Sequence, residues 1–213
     1  MPRLLLPVLL LALLAPLAPC GDSFAQEAGE WKHKYLAVVV QNSGAQRGGN
    51  ALALVEMLNR LAAIKPEGVS VGLFGFAEKF RQLEEGRFER KTARLLEDTP
   101  SRRALLEAVG ELVFHGPSPV YDAVGDALDA AARNSDAALL LVSNAIDNAS
   151  DLPFDQLARR VEKAGVPIIA FYFPTKPPLS GDSRMRKLAK VSAGRFIDVR
   201  VKDSWEQLVD ALR

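Results

Sequence analysis

Short apolar runs alternate along this chain with stretches where apolar residues recur every three or four positions. The runs are Tyr35–Val40 (YLAVVV), Val69–Phe76 (VSVGLFGF), Ala138–Val142 (ALLLV) and Val166–Phe173. Unbroken apolar character over such short lengths predicts strands buried on both faces, as in a parallel sheet covered by helices. Between them, Ala51–Ile64 sets Leu54, Val55, Leu58, Leu61 and Ala62 on one helical stripe, with Glu56 and Arg60 placed to pair on the wet side. Thr99-Pro100 reads as an N-cap with proline at the first helical position. It opens a helix with Leu105, Val109 and Leu112 on one side. Val120–Asn134 is a helix whose small face, with Ala123, Ala127, Leu128 and Ala131, permits close approach to a sheet. Phe154–Ala164 is a helix closed by Gly165. Arg184–Ser192 and Ser204–Leu212 read as helices, and Arg195–Val199 as the last strand. Arg87–Leu95 reads as a short edge strand whose charges blunt the exposed edge. This order of elements predicts an α/β fold: a doubly wound, mostly parallel central sheet flanked by helices.

The N-terminus falls outside that pattern. Arg3 precedes an apolar run, Leu4–Leu17, interrupted by Pro7 and Pro16. It has the form of a secretory leader and is too short for a membrane span. Ser23-Phe24-Ala25 offers small residues at the cleavage positions. The expected organisation is therefore a signal peptide at 1–25, a polar lead-in at 26–34 and one domain at 35–213. Cys20 is the single cysteine, so the mature domain has no intramolecular disulfide. Leu17-Ala18-Pro19-Cys20 resembles a bacterial lipobox, although proline fits poorly before the cysteine. Cys20 is thus either a lipid-anchor position or discarded with the leader.

Composition changes little beyond this. The 213 residues hold 27 Lys+Arg and 26 Asp+Glu, and the chain has no basic tract. That balance gives no footprint for nucleic acid.

In an open parallel sheet, ligands bind beyond the carboxyl ends of the strands where the connection direction reverses. The first strand and the ALLLV strand should flank that point. The loops there are 41–50, 115–119 and 143–151. Two of them carry polar, uncharged clusters: Gln41-Asn42-Ser43-Gly44-Ala45 and Ser143-Asn144-Ala145. The third is His115-Gly116-Pro117-Ser118-Pro119.

These loops resemble those of the von Willebrand factor A family, secreted bacterial type. Gln41 to Ala45 matches the position of Asp-x-Ser-Gly-Ser. Gly116-Pro117-Ser118-Pro119-Val120-Tyr121-Asp122-Ala123 matches Gly-Gly-Thr-Pro-Leu-Tyr-Asp-Ala. Ser143-Asn144-Ala145, continued by Asp147-Asn148, matches Thr-Asp-Gly. Lys187-Leu188-Ala189 followed by Ser192-Ala193-Gly194 is similar to the closing Leu-x-x-Ala and Gly-Gly run. The resemblance implies a metal-ion-dependent adhesion site in which two Asp and three hydroxyls hold a divalent ion and a partner's carboxylate often completes it. Carried over, the positions are Gln41, Ser43, Ala45, Ser118 and Asn144. Both carboxylates are replaced by amides, and Ala45 has no side-chain oxygen. Mg²⁺ is costly to dehydrate and is usually held through carboxylates, so this set disfavours it. Asp147 and Asp151 lie in the right loop but off the ligand register.

Two readings of the amides follow. Gln41, Ser43, Ser118 and Asn144 either hydrogen-bond among themselves as a neutral polar plug, or bind a ligand directly. A third arrangement, Ser43 with His115 and Asp122 as a hydrolytic triad, lacks a nucleophile elbow. His33 reads as solvated, and Asp122 as a buttress near a helix N-terminus. The Pro174–Asp182 loop, with Lys176, reads as a contact surface. The expectation is a non-enzymatic secreted or periplasmic binding module with no obligatory cofactor, the alternative being the same fold with a weak divalent-cation-dependent adhesion site. It meets a protein partner through Gln41, Ser43, Ala45, Ser118, Asn144 and Asp147.

Overall fold

The computed structural model describes residues 29–76, 92–174 and 182–213. The expected leader with Cys20, the start of the lead-in, the first part of the edge-strand segment and most of the Pro174–Asp182 loop lie outside the described residues. Among the described residues, six strands form one sheet in the order β3-β2-β1-β4-β5-β6. They are β1 (Tyr35–Val40), β2 (Ser70–Gly75), β3 (Ala93–Thr99), β4 (Ala137–Ser143), β5 (Ile168–Tyr172) and β6 (Arg195–Asp198). All neighbours are parallel except β2 and β3. Among the described residues, the α-helices are α1 (Gly49–Ile64), α2 (Arg102–Gly110), α3 (Val120–Ala131), α4 (Phe154–Ala164), α5 (Asp182–Val191) and α6 (Ser204–Leu212).

Side-chain alternation along the buried strands divides the core into two layers. Leu36, Val38 and Val40 of β1 join Leu54, Leu58, Leu61 and Leu208 from α1 and α6. Tyr35, Ala37 and Val39 join the small face of α3 and, beyond it, Leu157 of α4 and Leu188 of α5. Phe171 and Phe173 face the first layer and Tyr172 the second, as a period of two requires. This is the sandwich that the unbroken apolar runs imply. Among the described residues, no helix is long and apolar enough to cross a membrane.

The structure corrects several expected boundaries. Of the expected edge strand Arg87–Leu95, residues 87–91 lie outside the described residues; the described strand, Ala93–Thr99, runs on past Leu95, where its antiparallel register with β2 pairs Leu73 with Leu96. Thr99 is consumed by that strand, so the N-cap of α2 is Ser101, whose Oγ accepts from the Ala104 N–H at 3.2 Å. α2 ends at Gly110, leaving Leu112 partly buried beyond it. α3 stops at Ala131, where Asn134 Nδ2 donates to the Ala130 carbonyl at 3.0 Å. Arg60 does not pair with Glu56; its guanidinium lies 4.1 Å from the Trp205 ring centroid, tying α1 to α6. His33 is half-buried, its Nδ1 3.5 Å from Asp136 Oδ1, rather than solvated. α4 and α6 span the expected residues, and Gly165 ends α4 at φ 65°.

The N-terminal segment and the C-terminus meet at the edge where β1 begins. Trp31 is buried, and the Lys32 N–H donates to the Leu212 carbonyl at 2.8 Å. The opposite edge, where β1 and β4 end, is left to the three loops.

Candidate functional site

The site is built by register. β1 and β4 pair Val40 with Val142, and the Gln41 N–H donates to the Val142 carbonyl at 2.9 Å. Gln41 and Ser143 therefore leave adjacent strand ends side by side. Three loops are then knitted by backbone bonds. The Gly44 N–H donates to the Gly116 carbonyl at 3.0 Å, His115 N–H to the Asn42 carbonyl at 3.1 Å, and Asn148 N–H to the Ser118 carbonyl at 3.2 Å. Asn42 adds its side chain, donating to the Val113 carbonyl at 3.1 Å and accepting from the Phe76 N–H at 2.6 Å.

Gln41 occupies the centre and is 0% exposed. Its Nε2 donates to Ser43 Oγ at 3.2 Å and Ser118 Oγ at 3.1 Å. Those hydroxyls bond each other at 2.7 Å. Its Oε1 accepts from Ser143 Oγ at 2.5 Å and from the Asn144 N–H at 2.9 Å. One side chain thus bridges all three loops, and both ends of the amide are used.

The sequence-expected residues divide into three groups. Gln41, Ser43 and Ser118 form the plug. Asn144 joins it through its backbone N–H, while its Oδ1 accepts from the Ile146 N–H at 2.9 Å in a local turn. Ala45 is exposed on the rim and takes no part. Asp147 is directed elsewhere: its Oδ2 accepts from the Tyr121 N–H at 3.0 Å and Ser150 Oγ at 2.5 Å, placing its charge at the N-terminus of α3. Asp122 buttresses the same loop by accepting from the Asp151 and Leu152 N–H groups at 3.0 and 2.9 Å.

Sequence reasoning missed Ser143, Ser150 and Gln46. Ser143 could have been found from strand register alone, since pairing β1 with β4 sets position 143 beside position 41. Gln46, also 0% exposed, carries no motif signal. Ala145 adopts φ 61°, a left-handed conformation costing a non-glycine residue about 1–2 kcal/mol. The resemblance aligns it with a glycine, and the turn keeps the shape that glycine would take. Tyr121 sits against this loop with its pKa raised, chiefly by burial; Arg184 Nη1 donates to its hydroxyl at 2.5 Å and works in the opposite sense.

Two kinds of chemistry can be weighed on this geometry. The donor set does not suit a divalent ion, because the central group is an amide nitrogen that donates to both hydroxyl oxygens, and among the described residues no carboxylate enters the plug. Among the described residues, no three of His, Cys, Asp and Glu gather as a metal-holding group. The triad arrangement also fails on geometry. Ser43 bonds Gln41 and Ser118, Asp122 bonds two backbone N–H groups, and His115 Nδ1 has no partner. His115 instead lines a cavity of about 220 Å³ with Leu95, Ala108, Leu112 and Val113.

No family model matches the sequence, and no curated protein is significantly similar to it. Solved structures do match. BatB from Bacteroides thetaiotaomicron superposes with a TM-score of 0.59 at 12% identity, covering 83% of this chain and 96% of that one. A von Willebrand factor type A structure from Catenulispora acidiphila gives 0.58 at 18% identity, covering 84% of this chain and 42% of that one. The vWF domain of the type V pili tip protein Mfa5 from Porphyromonas gingivalis gives 0.62 at 9% identity, covering 85% and 95%. The chain has the von Willebrand factor A fold.

Proposed function

We propose that this von Willebrand factor A-like chain is a non-enzymatic, secreted or periplasmic binding module that engages a protein partner at the carboxyl edge of its sheet without a bound ion. One observation carries the reading. Gln41 Nε2 stands between the Ser43 and Ser118 hydroxyls and bonds both. The resemblance puts the ion among these same hydroxyl positions. An amide nitrogen that donates to two hydroxyl oxygens ties the loops together from within, so the edge keeps its shape with no cation. Ala45, Arg47 and Asn148 are exposed around this plug and form the rim that a partner meets first. Gln41, Ser43, Ser118, Asn144 and Asp147 set that rim from beneath. The surface-assembly setting of one similar structure, a pilus tip protein, supports a protein partner and an extracytoplasmic location.

The test is site-specific photo-crosslinking in the producing cells. A photoreactive residue replaces Ala45 on the rim, or Glu67, which is exposed near the start of β2 at the opposite edge. The expected result is a discrete crosslinked protein from position 45, absent from position 67 and unchanged by EDTA. Equal products from both positions, or loss of the position-45 product in EDTA, overturns the reading.

A further inference from the structure

The hydrogen bonds of the plug do not balance, and the imbalance runs one way. Each amide oxygen of the plug has a donor. Gln41 Oε1 takes two protons, and Asn144 Oδ1 takes the Ile146 N–H. The donors are in excess. Ser43 and Ser118 each accept from Gln41 Nε2 and bond each other, which uses one hydroxyl proton and leaves the second without an acceptor in the plug. Asn144 Nδ2 is buried with no partner, in a side chain only 1% exposed. Turning that amide over would set Nδ2 against the Ile146 N–H, so the orientation is fixed by its neighbour. Gln46 repeats the pattern: Oε1 accepts from Asn50 Nδ2 at 3.0 Å, while the buried Nε2 is unpartnered. Among the described residues of these loops, the buried side-chain atoms without partners are Asn144 Nδ2, Gln46 Nε2 and His115 Nδ1, and none is an oxygen.

A cation site is rich in acceptors; this edge is rich in unspent donors. Buried donors left unmade are costly, so an acceptor oxygen arriving from outside satisfies groups that closure of the loops leaves unsatisfied. The charge of that oxygen follows from the surroundings. Among the described residues, no cationic side chain enters the plug. Arg47 is exposed and donates to the Phe114 carbonyl at 3.2 Å, and Asp147 holds a negative charge in the same loop as Asn144. Neutral donors beside an existing carboxylate favour a neutral acceptor over a second anion, whose desolvation nothing here offsets.

We propose that this edge recognises a neutral carbonyl oxygen, from a peptide bond or a side-chain amide of the protein partner, through Asn144 Nδ2, and that it discriminates against carboxylates. This rests on the binding-module reading and names the chemistry the partner presents. Asn144 is reached by local opening of the 144–151 loop, since its side chain is closed off in the unbound form.

The test follows the Asn144 side-chain amide resonances by NMR on the isotope-labelled protein in EDTA. N-methylacetamide is the peptide-carbonyl probe, and sodium acetate at matched ionic strength is the carboxylate. The expected result is a saturable downfield shift of the Asn144 Nδ2 protons with N-methylacetamide, half-complete at on the order of 10 mM, and none with acetate. Asn144→Asp keeps the acceptor for the Ile146 N–H but removes the donors. In that variant, the neighbouring Ile146 and Ser118 backbone resonances should no longer respond. No saturable shift in the unmodified protein overturns the proposal, as does an equal or stronger response to acetate. Edge-specific crosslinking at position 45 that persists when the NMR arm fails leaves the binding-module reading standing. A positive NMR arm with no edge-specific crosslink overturns that reading alone.

Discussion

Replacing Gln41 by glutamate changes one atom of the plug and inverts what it offers. The outer oxygen and the carbon chain stay in place, so the bonds from Ser143 Oγ and the Asn144 N–H persist. The nitrogen that donates to Ser43 and Ser118 becomes an oxygen. Two donor bonds are lost, about 1 kcal/mol each. The ionised form also places a charge at a position that is 0% exposed. Protonation caps that second cost. From an ordinary glutamate pKa of about 4.3, remaining neutral at pH 7 costs at most about 3.7 kcal/mol. Rotation of the serine hydroxyls toward the new oxygen recovers part. The expected loss for Gln41→Glu is therefore about 2–4 kcal/mol at pH 7.

The sign of the pH dependence follows. Burial raises the introduced carboxyl, so the folded state binds more protons than the unfolded one, and stability falls as pH rises above about 4.3. Near pH 4.5 the protonated carboxyl donates one bond in place of two, and the loss shrinks to about 1 kcal/mol. Urea unfolding followed by Trp31 and Trp205 fluorescence, from pH 4.5 to 8 in EDTA, measures both. A variant as stable as the native protein at pH 7 would show that the amide nitrogen does nothing for the plug. Mg²⁺ at millimolar concentration separates the two chemistries further. It should stabilise Gln41→Glu, which restores a carboxylate beside two hydroxyls, and leave the native chain unmoved. An equal rise in both refutes the donor-set argument.

Gly194 has a backbone reason to be glycine. A Cβ there would lie 2.1 Å from the Ile168 carbonyl oxygen, so Gly194→Ala must push α5 from β5, at about 3 kcal/mol by thermal or urea unfolding; a loss below about 1 kcal/mol contradicts that packing. Tyr35 donates to Asp98 at 2.6 Å, and its hydroxyl titrates above the ordinary value of 10.0, first because it is buried and then because Asp98 is beside it. A raised pKa gives stability that is complete below pH about 10 and lost as pH climbs toward the folded value. Tyr35→Phe should therefore weaken the fall in stability between about pH 10 and 11.5, though not abolish it, since Tyr121 and Tyr172 are also raised by burial. An unchanged slope would place the titration elsewhere.

The two-layer fold was legible because its signal is physical and local. Six apolar residues in a row at Tyr35–Val40 leave no wet face, and only a strand covered on both sides satisfies them. The boundaries failed where two elements compete for one residue. Thr99 is a good N-cap in isolation, yet β3 takes it, and the neighbouring Ser101 supplies the cap instead. Asp147 shows the same limit in the site. In sequence it is simply an acid in a functional loop. In space its carboxylate is spent at the N-terminus of α3, on the Tyr121 N–H and the Ser150 hydroxyl, an engagement that its place in the sequence does not show.

The centre of the site was legible as a set of residue types and not as a direction of donation. Gln41, Ser43 and Ser118 were all expected together, and so was their capacity to bond without an ion. Each of them can both donate and accept, so the sequence leaves the polarity of the cluster open. What fixes it is the Asn144 N–H, which can only donate and so commits Oε1 as an acceptor; Ser143, which ends β4 beside Gln41, adds its own proton because its Oγ already accepts from the Ala145 N–H. With the oxygen committed, Nε2 must face the other two loops and donate. The Ile146 N–H does the same for Asn144, taking Oδ1 and stranding Nδ2. The backbone N–H groups of Asn144, Ala145 and Ile146 thus convert a cluster of ambivalent groups into an edge with protons to give, which is why the chemistry of this site follows from strand register rather than from its motif.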